Sequence, residues 1–309
     1  MTAPGRSRPW EVHAALAGAQ VGFALFPIFG KLALASIPPL PFAAFRVTAA
    51  AVLLDLVRRA HGGGRDGGAI RPADRPRLLL YALLGVSFNQ ILFISGLSMT
   101  SAIHTTILTA TIPVFTLAAA VLLRRETLTA RAAAGIALAG AGALALLNAH
   151  RFDWSDGSFR GDLLIIANST SYSLYLVLSR RALADYRATA FTAAVFRYGT
   201  PLIVLAAIPD LLRFSPSRTP PLAWACLAAV VVVCTVVPYL LNSWALARTQ
   251  ASQVAFYVFL QPLIATALAI PILGESLTTK TLVAGGLILA GLAVAVRRAR
   301  IPAAAAATP

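Results

Sequence analysis

The sequence predicts an all-α membrane protein with ten transmembrane helices arranged as two inverted five-helix repeats. Hydrophobic residues make up 58% of the 309 residues and charged residues only 12%, which is about half the charged share of a soluble domain. Apolar runs of about 20 residues, the length needed to cross a bilayer, recur along the whole chain. The second half of the chain also repeats the residue pattern of the first half.

Ten apolar segments are expected to cross the membrane. They lie at 12–34, 42–60, 77–97, 102–123, 129–148, 161–180, 188–209, 221–246, 251–273 and 279–297. Most are separated by short linkers, and the Gly-rich stretch 61–68 begins the one long loop. We therefore expect no soluble domain.

The basic residues predict the orientation of these segments. The net charge is +15, but the basic residues lie in short clusters between apolar runs. That pattern is typical of membrane-protein loops, so we predict no nucleic-acid partner. With the N-terminus inside, eighteen basic residues fall in inside segments and five in outside loops. The positive-inside rule then places both termini in the cytoplasm.

An internal repeat divides the chain into two halves, residues 1–149 and 150–309. Several residues recur at a shift of 149: Pro113 with Pro262, Glu126 with Glu275, and Gly142 with Gly291. Because each half holds five helices, an odd number, the second half must insert upside down relative to the first. Inverted repeats are typical of secondary transporters, which bind their solute where the repeats meet.

Two features of each half carry a family resemblance. A proline lies within the fourth segment of each half, and a Glu-x-Leu-Thr turn opens the fifth, at 126–129 and at 275–278. With these motifs the chain resembles the EamA-type exporters of the drug/metabolite transporter superfamily over essentially its whole length. The resemblance implies a secondary active transporter of the inner membrane that exports a small polar metabolite, such as an amino acid or a related compound.

Polar residues at helical spacing indicate a solute-binding site. Side chains three or four residues apart share one face of a helix, and polar groups inside a membrane favour a cavity or a helix contact. The predicted solute-binding residues on such faces are Gln253, Tyr257 and Gln261 in the ninth segment, Asn168, Tyr172 and Tyr175 in the sixth, and Thr105 and Thr109 in the fourth. Hydrogen bonding between helices is the alternative, which isolated Ser and Thr residues favour.

Three basic residues, Lys31, Arg46 and Arg197, fall inside the apolar segments. A basic interior favours a solute with an anionic group such as a carboxylate. Lys31 and Arg46 lie near the predicted outer face, where their side chains can instead extend to the lipid headgroups. Arg197 is predicted to lie deeper. We add Lys31 and Arg197 to the predicted solute-binding residues.

Glu126 and Glu275 each precede a new apolar segment. We predict that each carboxylate stabilises the positive end of the helix that follows it, rather than coupling transport to protons.

Small residues spaced four apart predict close helix packing in the fifth and tenth segments. The pairs are Gly135 with Ala139 and Gly286 with Ala290. Such pairs let two helix backbones approach closely. The sequence leaves open whether they pack within the bundle or form a homodimer.

A membrane-embedded lipid-modifying enzyme and a channel are the alternative functions. The four histidines are scattered, and no HExxH, CxxC or G-x-S-x-G motif occurs, so we predict no enzymatic activity, metal or cofactor. A channel requires a ring of repeated filter residues, which the sequence lacks. The expected partners are a small-molecule solute and membrane lipids.

Overall fold

The structure is a computed structural model that describes residues 9–60, 70–125, 127–147, 155–249, 254 and 257–296. Over those residues the protein is helical, and they contain no β-strand. The all-helical fold that the apolar runs predict is therefore confirmed for this part of the chain.

Helix occurs in ten successive segments within the described ranges. They are α1 (Pro9–Leu34), α2 (Pro39–Ala60), α3 (Pro72–Met99), α4 (Ala102–Leu122), α5 (Ala130–Leu146), α6 (Gly157–Asp185), α7 (Ala188–Leu211), α8 (Pro221–Leu246), α9 (Leu260–Leu273, after a 3₁₀ turn at Tyr257–Phe259) and α10 (Thr279–Val296). Six of them, α1–α4, α7 and α8, are long and apolar enough to cross a membrane, and α5, α9 and α10 are shorter apolar helices. Ten complete crossings stay a prediction.

The two halves pack through contacts that occur in matched pairs. Helix α1 packs against α8 and α9, and α6, its counterpart in the second half, packs against α3 and α4. Helix α2 packs against its counterpart α7, and α5 packs against its counterpart α10. Matched contacts of this kind relate the halves by an approximate two-fold axis, as the internal repeat leads one to expect.

Glycines bring α5 and α10 into backbone contact. A Cβ atom added to Gly142 would lie 2.7 Å from the carbonyl oxygen of Ala284. One added to Gly291 would lie 2.6 Å from the carbonyl oxygen of Gly135 and from the amide nitrogen of Ala139. The predicted small-residue packing of α5 is thus found inside the bundle, where α5 meets α10.

The predicted pair on α10 does not pack within the bundle, and a homodimer contact through it stays a prediction. Gly286 and Ala290 are exposed, and nothing lies within 4 Å of a Cβ added to Gly286. The buried side of α10 carries Ala284, Ile288 and Gly291 instead. Spacings of three and four both return a residue to one helix face, so small residues alone did not identify which face of α10 is buried.

Three helices leave regular α geometry near their middle. Helix α3 contains a π-helical turn at Leu83–Ser87, and α8 contains one at Val232–Val236, exactly one repeat later. Helix α4 is interrupted between Thr109 and Ile112. The interruption precedes Pro113, whose ring cannot donate a hydrogen bond and clashes with the carbonyl four residues earlier.

Hydroxyl groups bind the carbonyls near these breaks. Ser171 Oγ donates to the carbonyl of Leu84 in the α3 turn at 2.8 Å, and Ser173 Oγ donates to the carbonyl of Ile112 in α4 at 3.0 Å. Partners of this kind allow irregular helix to persist within a membrane. Helix α6 therefore holds α3 and α4 in place on one side of the cavity described next.

Candidate solute-binding cavity

A cavity of about 70 Å³ lies between helices of both halves. It has room for several water molecules, since one water needs roughly 10–15 Å³ on this measure. The polar wall residues are Gln20, Arg46, Asn89, Gln90, Thr109, Asn168, Asn242 and Gln261, and the aromatic ones are Phe23, Phe26, Phe93, Tyr172 and Tyr239. The wall therefore combines aromatic rings with side-chain amides, as solute pockets commonly do.

Residues related by the repeat meet across this cavity. Gln90 and Tyr239 are 149 positions apart, and Gln90 Nε2 donates a hydrogen bond to the Tyr239 hydroxyl at 3.1 Å. A residue can touch its own counterpart only close to a two-fold axis. Four further pairs separated by 149 residues also line the wall: Phe23 with Tyr172, Phe93 with Asn242, Thr109 with Val258, and Ile112 with Gln261. The cavity thus lies where the two halves meet.

Amide side chains connect the helices around the cavity. Gln261 Nε2 donates to Gln20 Oε1 at 2.6 Å, joining α9 to α1. Asn168 Nδ2 donates to the carbonyl of Asn89 at 2.8 Å, and Asn242 Nδ2 donates to the Tyr172 hydroxyl at 3.2 Å. Buried polar groups require such partners, so these bonds help to fix the shape of the wall.

Arg46 lies inside the bundle, not at the headgroups. Its side chain is buried, Nε donates to Thr235 Oγ1 at 2.8 Å, and Nη1 donates to Gln90 Oε1. The guanidinium carbon lies 4.0 Å from the ring centre of Phe26, a cation–π contact. Extension of Arg46 to the headgroups was therefore the wrong alternative, because these three groups hold the guanidinium in the interior.

The ninth-segment stripe contributes one residue to the wall within the described part of the chain. Gln261 lines the cavity, whereas Tyr257 hydrogen-bonds through its hydroxyl to His13 Nδ1 and is not part of the wall. Gln253 lies outside the described residues. The expectation that Tyr257 and Gln261 face the cavity together was therefore wrong for Tyr257.

Local helix geometry explains this difference. Residues Tyr257–Phe259 form a 3₁₀ turn, which has three residues per turn instead of 3.6. A spacing of four residues therefore does not stay on one face through this turn. Val258 and Val254, at spacings of three and seven from Gln261, line the cavity instead.

Of the five predicted residues in α6 and α4, three line the cavity and two do not. Asn168, Tyr172 and Thr109 line the cavity. Tyr175 is buried behind the wall, with its ring centre 5.7 Å from that of Tyr172, and Thr105 is fully buried with its hydroxyl bonded to a backbone carbonyl of its own helix. Tyr175 and Thr105 therefore support neighbouring groups and do not line the wall.

Lys31 and Arg197 lie away from the central cavity. Lys31 is half-buried and lines a separate cavity of about 490 Å³ that Glu275 also lines. Arg197 is exposed, and its guanidinium lies 5.6 Å from the ring centre of Tyr198. The exposure of Arg197 does not test its predicted depth in the membrane, which stays a prediction; of the three basic residues, Arg46 is the one that lines the central cavity.

Glu275 caps a helix of the other half. Its two carboxylate oxygens accept hydrogen bonds from the amides of Ala102 and Ile103, at 2.7 and 2.9 Å. These amides begin α4, so the carboxylate lies at the positive end of that helix. A capping role was predicted, but for the helix after Glu275; α10 begins instead after Thr278, whose hydroxyl accepts from the amide of Thr281. Glu126 lies outside the described residues.

A second acidic group lies near the beginning of α4. Asp162 of α6 is buried and accepts hydrogen bonds from Thr100 Oγ1, at 2.5 Å, and contacts His104 Nδ1 at 3.0 Å. Together with the Glu275 contacts, these bonds join α4 to α6 and to the linker between α9 and α10. We call this group of contacts, made by Thr100, Ala102, Ile103, His104, Asp162 and Glu275, the clasp.

Several wall residues were absent from the predicted site, namely Gln20, Arg46, Asn89, Gln90, Tyr239 and Asn242. Most are polar groups inside apolar segments, which is the signal that identified the other candidates. The repeat offered a second signal, because Gln90 and Tyr239 occupy equivalent positions in the two halves.

Comparison with known proteins identifies the family. The sequence model of the EamA-like transporter family matches residues 11–148 and again residues 159–297. The chain belongs to this family. The resemblance seen in the sequence is confirmed, and membership in the EamA-like family places the protein among transporters.

Two relatives extend this comparison. An uncharacterized transporter from Archaeoglobus fulgidus is 27% identical over 271 residues, which cover 86% of this chain and 90% of the relative. A solved structure described as the crystal structure of a protein aligns with a TM-score of 0.67 at 18% identity. That alignment covers 95% of this EamA-like chain and 100% of the solved chain, and it shows the fold alone.

Proposed function

We propose that this EamA-like protein is a secondary active transporter that carries a small polar solute through the central cavity. The contact between Gln90 and Tyr239 carries the proposal, because it places a polar cavity at the axis that relates the two halves. Transporters built from inverted repeats bind their solute at that interface. Family membership supports the same class of function.

The clasp supports alternating access to the cavity. It joins parts of both halves near one end of the bundle. If the two halves exchanged conformations, the contacts of the clasp would break and open this end of the bundle, while the opposite end would close. Under the positive-inside prediction the clasp lies at the outer end of the bundle, and we propose that it closes the cavity to the outside.

The proposal also includes the direction of transport and the membrane in which it occurs. The excess of basic residues in alternate loops supports an N-terminus and a C-terminus in the cytoplasm. The family resemblance supports export of a metabolite across the inner membrane. No GxxxxGK motif occurs in the sequence, which favours a transporter driven by a gradient over one driven by ATP.

Uptake into proteoliposomes of purified protein tests this function. We expect saturable flux of small polar metabolites, and loss of most of that flux in Thr109→Trp, because the indole would fill the cavity. Leu263→Trp is the matched control, since Leu263 is 56% exposed on α9 and does not line the cavity. Flux that rises linearly with concentration, or that survives Thr109→Trp, would contradict the proposal.

A further inference from the structure

Arg46 is the one charged residue among the wall residues that the structure describes. The other wall residues are amides, a threonine, aromatic rings and aliphatic side chains. The wall therefore carries one positive charge and, within the described residues, no carboxylate to balance it.

The guanidinium of Arg46 has unused hydrogen-bonding capacity. An arginine side chain has five N–H groups, and the described residues accept one from Nε and one from Nη1. The three remaining N–H groups have no partner there, and no carboxylate of the described chain lies within 4.0 Å of the guanidinium. A buried cation without an anion is costly, and the ring of Phe26 offsets only part of that cost.

We propose that the transported solute is a small monocarboxylate whose carboxylate pairs with Arg46 and whose remainder is uncharged. The inference rests on the proposed function and names the class of solute for the same cavity. Arginine suits a carboxylate because its planar N–H groups can bond both oxygens in parallel. One guanidinium balances one negative charge, so a dianion would leave net charge among the aromatic side chains.

The rest of the wall disfavours an amino group on the solute. An ammonium group would share the cavity with the guanidinium and meet like charge without an anionic partner in the described wall. Three of the six amide oxygens on the wall already accept one hydrogen bond each: Gln20 Oε1 from Gln261, Gln90 Oε1 from Arg46, and Asn89 Oδ1 from Gln90. The structure thus favours a hydroxy acid or an aromatic acid over an amino acid.

The uncharged part of the solute would meet rings and hydrogen-bond acceptors. Phe23, Phe93 and Tyr172 line the wall, and aromatic rings stabilise apolar groups by burial. Asn242 Oδ1 lies on the same wall, as does the hydroxyl oxygen of Thr109, which donates its proton to the carbonyl of Thr105; both oxygens can accept from a hydroxyl group on the solute. This combination defines the expected solute as a compact acid with an apolar or lightly hydroxylated body.

Binding to the purified protein in detergent tests the inference apart from transport. The probes are lactate, 2-hydroxy-4-methylpentanoate and benzoate, the amide of each, and leucine, and the readout is the ligand-induced shift in melting temperature over a concentration series. For the wild-type protein we expect at least one acid to bind about tenfold or more tightly than its amide, and 2-hydroxy-4-methylpentanoate to bind more tightly than leucine.

Variants of Arg46 test whether its guanidinium binds the carboxylate of the ligand. In Arg46→Gln the acid and its amide should bind equally, because the positive charge that favours the acid is removed. In Arg46→Lys the acid should remain preferred, with weaker binding, because the charge is kept and the planar geometry is lost. Arg197→Gln is the matched control, because Phe45–Arg46 recurs as Phe196–Arg197 at a shift of 151 residues and Arg197 is exposed; this variant should bind as the wild type does.

Each remaining outcome would contradict either the monocarboxylate inference or the transport function. Binding of no acid, equal binding of acid and amide by the wild type, or an unchanged preference in Arg46→Gln would each overturn the monocarboxylate inference. If the acid binds through Arg46 and the proteoliposomes show no flux of any solute, the transport function fails and the ligand class stands. If saturable flux occurs for solutes that lack a carboxylate, the transport function stands and the ligand class fails.

Discussion

Gly291→Ala is expected to lower the free energy of unfolding by about 1–3 kcal/mol, the usual cost of overpacking a tight contact. The added methyl carbon would lie 2.6 Å from both the carbonyl oxygen of Gly135 and the amide nitrogen of Ala139. These are backbone atoms of α5, so relief requires that α5 and α10 move apart. The measurement is the melting temperature and the yield of monodisperse protein after purification.

Gly286→Ala is the matched control on the same helix. Gly286 is exposed, and nothing lies within 4 Å of an added Cβ, so we expect a change within about 0.5 kcal/mol. Equal losses of stability for the two variants would mean that the close contact between α5 and α10 does not determine the effect, because alanine itself favours a helix more than glycine does.

Glu275→Gln is expected to weaken the clasp by about 1–3 kcal/mol, because hydrogen bonds to a charged acceptor are lost. The neutral side chain offers one acceptor oxygen to the two amides of Ala102 and Ile103, and its NH₂ group would oppose the other amide. Each 1.4 kcal/mol is a tenfold change in the balance between two conformations, so the ratio of open to closed protein at this end should rise about 5- to 150-fold.

The rate of thiol labelling at the cavity measures this opening. Thr109→Cys, combined with Glu275→Gln, should react faster with an impermeant reagent added on the clasp side than Thr109→Cys alone. Asp210→Asn is the control, because Asp210 lies in a separate cavity with Arg213 and makes no hydrogen bond to α4 in the described structure. An unchanged rate in Glu275→Gln would show that the carboxylate is not part of the closure.

Helix positions were predictable because they depend on local composition. The segment predicted at 188–209 is found at Ala188–Leu211, and the one at 221–246 at Pro221–Leu246. A long apolar run can satisfy its backbone hydrogen bonds inside a membrane only as a helix or a closed barrel, so its sequence determines most of its structure.

The direction in which an individual side chain points was less predictable, because it depends on packing between helices. Arg46 and Arg197 occupy equivalent sequence positions, yet one is buried at the cavity and the other is exposed. Hydropathy gives no information on which side of a helix meets a neighbour. The 3₁₀ turn at Tyr257–Phe259 likewise leaves no periodic signal, although it decides that Val258 lines the cavity and Tyr257 does not.

If the protein is a transporter of this kind, the cavity opens alternately to the two sides of the membrane, and labelling of Thr109→Cys from each side tests this. Cys226 and Cys234 are replaced by alanine so that position 109 carries the sole thiol. Thr109 suits this purpose because it lines the cavity and cysteine is close to threonine in size. Thr105→Cys, one turn away and fully buried off the cavity, is the matched control.

The reagent is membrane-impermeant and is supplied either outside or inside proteoliposomes of uniform protein orientation. We expect that Thr109→Cys reacts from both sides, that the membrane stays impermeable to the reagent, and that Thr105→Cys reacts from neither side. Labelling of Thr109→Cys from one side alone would contradict alternating access and, with it, the transport function proposed for this cavity.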